Sequence, residues 1–152
     1  AAMKNTMQER AARQRMSPGA ITALGFLGED GRGLADIVAA DEEEFARLGL
    51  EFGAVVAELR RLRDEGSRGL GEPLTVDGKW IVMAGDTRGV LPCPWEDGVF
   101  HKNGIAVRRI DSGESLIYSD LSLHLIEAHH FCQGKACPFR LDPSAIARVI
   151  GI

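Results

Sequence analysis

The stretch SRGLGEP, residues 67–73, separates two kinds of pattern in this chain. Before it, apolar residues recur at spacings of three and four. After it come short β-prone runs broken by turn dipeptides. Helices gathered at one end and hairpins at the other define an α+β protein: N-terminal helices followed by a small antiparallel β-meander with a helix packed on it. The 152 residues suit a single domain, 1–152, with a helical part over 3–70 and a meander-plus-helix part over 72–152.

In the helical part, LEFGAVVAELRRLRDEG places Phe52, Val55, Val56, Leu59 and Leu62 on one stripe, and Gly66 reads as its stop. Residues 4–16, KNTMQERAARQRM, are polar and helix-forming, a loose first helix. Ser17 and Pro18 read as the cap and first turn of a helix through SPGAITALGFLG. GEDGRG (28–33) reads as a plain loop, since its glycine spacing fits neither a phosphate-binding nor a dinucleotide-binding motif. LADIVAADEEEFARLG reads as two short helices with a break, the second opened by a capping-box-like Asp41/Glu44 pair and closed by Gly49. Arg60, Arg61 and Arg63 read as a solvated face beside Glu58 and Asp64.

In the second part, Asp77-Gly78, Asn103-Gly104 and Ser112-Gly113 are the predicted turns of the meander. Pro92 and Pro94 hold Cys93 in extended backbone between hairpins. Ser119 or Asp120 caps a helix running to near Gly134, and Asp142-Pro143 opens a short last one.

A net charge of −4 gives no electrostatic case for a nucleic-acid partner or an anionic membrane surface. The apolar runs are too short to span a bilayer. Three cysteines without a secretory-type N-terminus read as reduced thiols in a cytoplasmic protein.

The chemistry concentrates in HLIEAHHFCQGKAC, residues 124–137, with three of the four histidines and two of the three cysteines. On a helix with Leu121 at zero, His129 falls at about 80° on the apolar stripe and His124 at about 300° on its flank. His130 and Glu127 point outward, at about 180° and about 240°. The three histidines therefore share no single face.

One reading is zinc, held by Cys93, His124, His129 and Cys132. His124 and His129 match the H-x₄-H helical half of a zinc finger. Cys93 stands alone on the hairpin side, so Cys132 or Cys137 would complete the set, and no DNA-binding role follows. A second reading is a non-catalytic interaction or regulatory module with structural histidines. Its Phe52–Leu62 stripe and N-terminal arm would serve a homo-oligomer. A third is an enzyme of unknown substrate, with Cys93 as nucleophile, His124 or His129 as base and Asp120 as orienter, or with His124 and Glu127 as an acid–base pair. Asp86, Arg88, Trp95, His101, Lys102 and Arg140 are further polar candidates around a pocket; Arg140 would reach the last helix's C-terminus or an anion. No organic cofactor is expected.

From PCPW through YSDLSLHLIEAHHFCQGKACPFRLDP, about residues 92–143, the chain resembles an uncharacterised family of bacterial cytosolic proteins. The resemblance implies a bacterial, cytoplasmic origin. It transfers no catalytic residue, cofactor or partner.

Overall fold

The computed structural model describes residues 7–22 and 25–151, without the side chains of residues 86 and 87. Within them, helices α1 (Met7–Arg15), α2 (Leu34–Leu48) and α3 (Phe52–Ser67) precede a sheet of β1 (Leu74–Val76), β2 (Trp80–Pro92), β3 (Val99–Arg109) and β4 (Ser115–Tyr118). Helices α4 (Asp120–His129) and α5 (Pro143–Ile150) follow. The strands pair antiparallel in chain order, so the α+β meander is as expected. No helix among the described residues is long and apolar enough to cross a membrane.

The stripe of α3 buries Val55, Val56, Leu59 and Leu62 against the sheet. These side chains are used in the protein's own core, so they offer no surface for self-association. Gly66 does not stop the helix, which continues to Ser67. A Cβ at Gly66 would stand 2.3 Å from Cγ1 of Val82, so this glycine lets α3 press onto β2. Gly66→Ala gains about 1 kcal/mol of helix propensity but overpacks a filled core, at a cost of about 1–3 kcal/mol. A net loss of about 1 kcal/mol is expected in urea unfolding.

Helix α2 is continuous, without the expected break at Asp41. The Asp41 carboxylate turns inward and accepts from Arg140 Nη2 at 3.1 Å and from the Cys132 amide at 3.3 Å, so it caps nothing on its own helix. Gly49 does end α2 in the left-handed region, at φ 70°.

Ser17 and Pro18 begin no helix. Gly19 donates to the Thr22 carbonyl at 2.8 Å and Phe26 to the Met16 carbonyl at 2.9 Å, closing a loop. Gly25, at φ 72°, sits where a Cβ would lie 2.4 Å from Met16 O. The next segment is no plain loop either. Gly134 donates to Phe26 O and Glu29 to Lys135 O, each at 2.8 Å. Asp30 is buried beside Arg32, whose guanidinium, hydrogen-bonded at 2.6 Å, holds the carboxyl well below the usual range against the push of burial.

Asp77 (φ 55°) and Gly78 (φ 67°) make the first hairpin turn, both at positive φ as a type I′ turn requires. Gly113 (φ 73°) serves the last one. Asn103-Gly104 is not a turn. Strand β3 runs straight through it, with Gly104 opposite Gly85. Asn103 Oδ1 instead accepts from the Asp120 amide at 2.9 Å and ties β3 to the start of α4. The β2–β3 reversal lies at Cys93–Gly98, beyond a register shift between Asp86 and Val90.

Two apolar cores flank α4. Leu123 and Ile126 join one with α3, the sheet and α5. Leu121 and Leu125 join the other with Ala12, Met16, Phe26, Ile37, Phe131 and Cys93. The second core fixes the Cys93 loop against α4, and that docking builds the site.

Candidate metal centre

The loop after β2 is closed by two backbone hydrogen bonds, Cys93 N–H to Gly98 O at 2.9 Å and Glu96 N–H to Cys93 O at 2.8 Å. Glu96 takes the left-handed conformation at φ 60°. This tight reversal carries Cys93 and Asp97 on the same side, four residues apart. On the other side, α4 is started by a Ser119–Ser122 capping box and ended by His130 at φ 54°.

His124 and His129 are separated by about 140° around the helix axis. They still converge, because the loop docks over the Leu121–Leu125 face that lies between them, and the two rings fold in from either side. Nε2 of His124 lies 2.9 Å from Oδ1 of Asp97, and Nε2 of His129 lies 2.8 Å from Oδ2. Sγ of Cys93 is 3.7 Å from Nε2 of His129. Donor atoms of Cys93, Asp97, His124 and His129 all fall within 4.8 Å of one another. A tetrahedral zinc with bonds of 2.0–2.3 Å needs donor separations of about 3.3–3.8 Å, so small rotations suffice.

Aromatic rings hold the imidazoles in place. Trp95 stacks on His129 with centroids 4.1 Å apart and 9° between planes, and Phe131 meets Trp95 edge-on at 5.7 Å. Phe100 lies tilted over His124 at 4.4 Å.

An ionised carboxylate can only accept, so each Nε2 here donates to Asp97. Burial alone would push Asp97 up. Hydrogen bonds from the Cys93 thiol and His124, with the nearby imidazoles, outweigh it and hold the carboxyl well below its usual range. Burial, reinforced by Asp97, pushes the Cys93 thiol up to about 12. Burial also lowers His129, against the pull of Asp97. Protons on one sulfur and two nitrogens thus surround the carboxylate where a cation would otherwise sit.

Of the metal ligands expected from the sequence, Cys93, His124 and His129 come together. Cys132 does not. His130 turns the chain out of the helix, and Cys132 lies in the α3–sheet core, its thiol pushed well up by burial. Asp97 takes the fourth place. Its signal was the spacing Cys93-x₃-Asp97, within the x₂₋₄ range of paired zinc ligands but with an acid in the second cysteine position.

Cys137 is also elsewhere, donating to Gln133 Oε1 at 2.8 Å. Asp120 pairs with Arg63 at 2.8 Å and Glu127 with Arg60 at 3.1 Å, so neither orients His124. His130 pairs with Glu42 at 2.7 Å and stacks on Phe52. Arg140 meets Asp41 at 3.1 Å and Asp142, the N-cap of α5, at 3.7 Å, rather than the C-terminus of the last helix. Lys102 and His101 line separate clefts away from the quartet. The Asp86 side chain lies outside the described residues.

The arrangement defines a candidate metalloprotein of hairpin-turn-plus-helix type. Comparison with known proteins returns no matching family model, no matching curated protein and no matching solved structure.

Proposed function

We propose that this protein binds zinc through Cys93, Asp97, His124 and His129, and that the metal fastens the β2–β3 turn to α4. The observation that carries the reading is the convergence, within 4.8 Å, of four donors from two segments far apart in sequence. One thiolate, two imidazoles and one carboxylate form a donor set that suits zinc, whereas calcium and magnesium favour oxygen alone. The cysteines, all free and buried, suit a reducing compartment, and a cytoplasmic setting is part of this proposal. The nucleophile alternative draws no support from Cys93, which sits in the core with its thiol raised to about 12, the opposite of an activated thiol.

Elemental analysis of tag-free protein after zinc addition and desalting tests the reading. One equivalent of zinc is expected. Less than about a tenth of an equivalent of any transition metal, unchanged on adding zinc, contradicts it.

The raised thiol also sets the pH response. Zinc must expel the Cys93 proton, because the thiolate is the ligand. At pH below the thiol's pKa of about 12, each unit of acidification makes that expulsion harder. Apparent zinc affinity is therefore expected to rise about tenfold per pH unit between about pH 7.5 and 9, in chelator competition. A flat profile contradicts a thiolate ligand.

A further inference from the structure

The four donors are unequally covered. Cys93 is fully buried, while the side chains of His124 and His129 are 16% and 17% exposed. Asp97 is 39% exposed. The open side of the quartet is therefore the Asp97 side.

A cavity of about 430 Å³ lies on that side. Trp95, Glu96, Asp97 and His129 form one wall, and Met7, Gln8, Ala11 and Arg15 of α1 form the other. Cys93 and His124 do not line it. Its volume falls in the range of small-molecule sites. Arg15 donates to the Pro94 carbonyl and pairs with Glu96 at 3.2 Å, which lashes α1 across the ligand loop. A polar helix thus flanks an open cleft that reaches two of the four donors, instead of packing flush on them.

Resting on the zinc reading above, we infer that the metal keeps one exchangeable position, with Asp97 as the ligand that yields and the α1 cavity as the entry for a small monoanion. Cys93, His124 and His129 are the three anchored donors: the first sits in a core, His129 stacks on Trp95, and His124 lies under the tilted ring of Phe100. Three protein ligands plus one exchangeable position is the pattern of zinc sites that bind or transform small molecules. Charge selects the ligand class. Zinc with one thiolate and two neutral imidazoles carries one net positive charge, and Asp97 cancels it. A ligand replacing Asp97 keeps the site neutral if it is a monoanion with an oxygen or nitrogen donor, such as a small carboxylate. The Asp97 carboxylate, once displaced, has solvent within reach, and the cavity also holds Arg15, which is paired with Glu96.

The test uses the full chain loaded with cobalt(II), with azide as the monoanion probe. Azide is expected to shift the visible cobalt bands in a saturable, one-to-one titration. Asp97→Asn replaces the competing carboxylate with a weaker amide ligand and is expected to tighten azide binding about tenfold. Ala11→Leu narrows the cavity and is expected to weaken azide while leaving the azide-free cobalt spectrum unchanged. A cobalt protein that shows the thiolate charge-transfer band but ignores azide overturns this inference alone. A protein that shows no cobalt bands at all contradicts the zinc reading beneath it.

Discussion

Cys93→Ser is expected to weaken zinc binding by roughly 10²- to 10³-fold, measured by competition with a chromogenic chelator. Structural zinc contributes about 10–16 kcal/mol of apparent binding free energy across four ligands. One ligand therefore carries about a quarter of it, and each 1.4 kcal/mol is about tenfold. His124→Ala and His129→Ala are expected to fall in the same range. Cys132→Ala is the informative control. That sulfur lies in the α3–sheet core and outside the quartet, so its loss should change zinc affinity by less than about twofold, whatever it does to stability. A Cys132 variant as impaired as Cys93→Ser would return the site to a set with two cysteines.

Asp41→Ala is expected to be the most destabilising single change in the helical half, at about 3–5 kcal/mol in denaturant unfolding. Asp41 is 2% exposed, and the side chain of its partner Arg140 is 15% exposed. Burial pushes the Asp41 carboxyl up, and Arg140 opposes that push. Arg140 also donates to the Gln133 carbonyl at 2.5 Å, so the pair ties α2 to the segment that leaves α4. Removing the acid leaves a largely covered guanidinium with only the longer contact to Asp142, at 3.7 Å, as a counter-charge, which is the costly outcome. Replacing both groups with apolar residues of similar size, as in Asp41→Leu with Arg140→Met, is expected to recover most of the loss. If the double variant is as unstable as the sum of the singles, the pair is not a unit.

The features legible in the sequence are those decided locally. The α3 stripe needed only its own spacing, and the Asp77-Gly78 turn only two residues that tolerate positive φ. Ser119 and Asp142 cap α4 and α5 because their side chains reach amides three residues on. The misread features are decided by distant partners. Asn103-Gly104 has a turn's composition, yet pairing with β2 keeps it extended and the Asp120 amide occupies the asparagine. Asp41 has a cap's composition, yet Arg140, 99 residues on, draws it inward.

The candidate site divides the same way. His124 and His129 stood out by residue type, and their helical angles were sound. What the angles did not show was that a loop would dock between the two rings and make their divergence a cradle. Asp97 alone is an acid in a turn, and its role arises only when the second core presses that turn onto α4.

The central claim is that one sulfur, two imidazoles and one carboxylate share a single metal. X-ray absorption at the zinc edge on the loaded protein reads that shell directly. The expected fit is one sulfur at about 2.3 Å with three nitrogen or oxygen neighbours at about 2.0–2.2 Å. A shell with no sulfur, or with six oxygens, would contradict it.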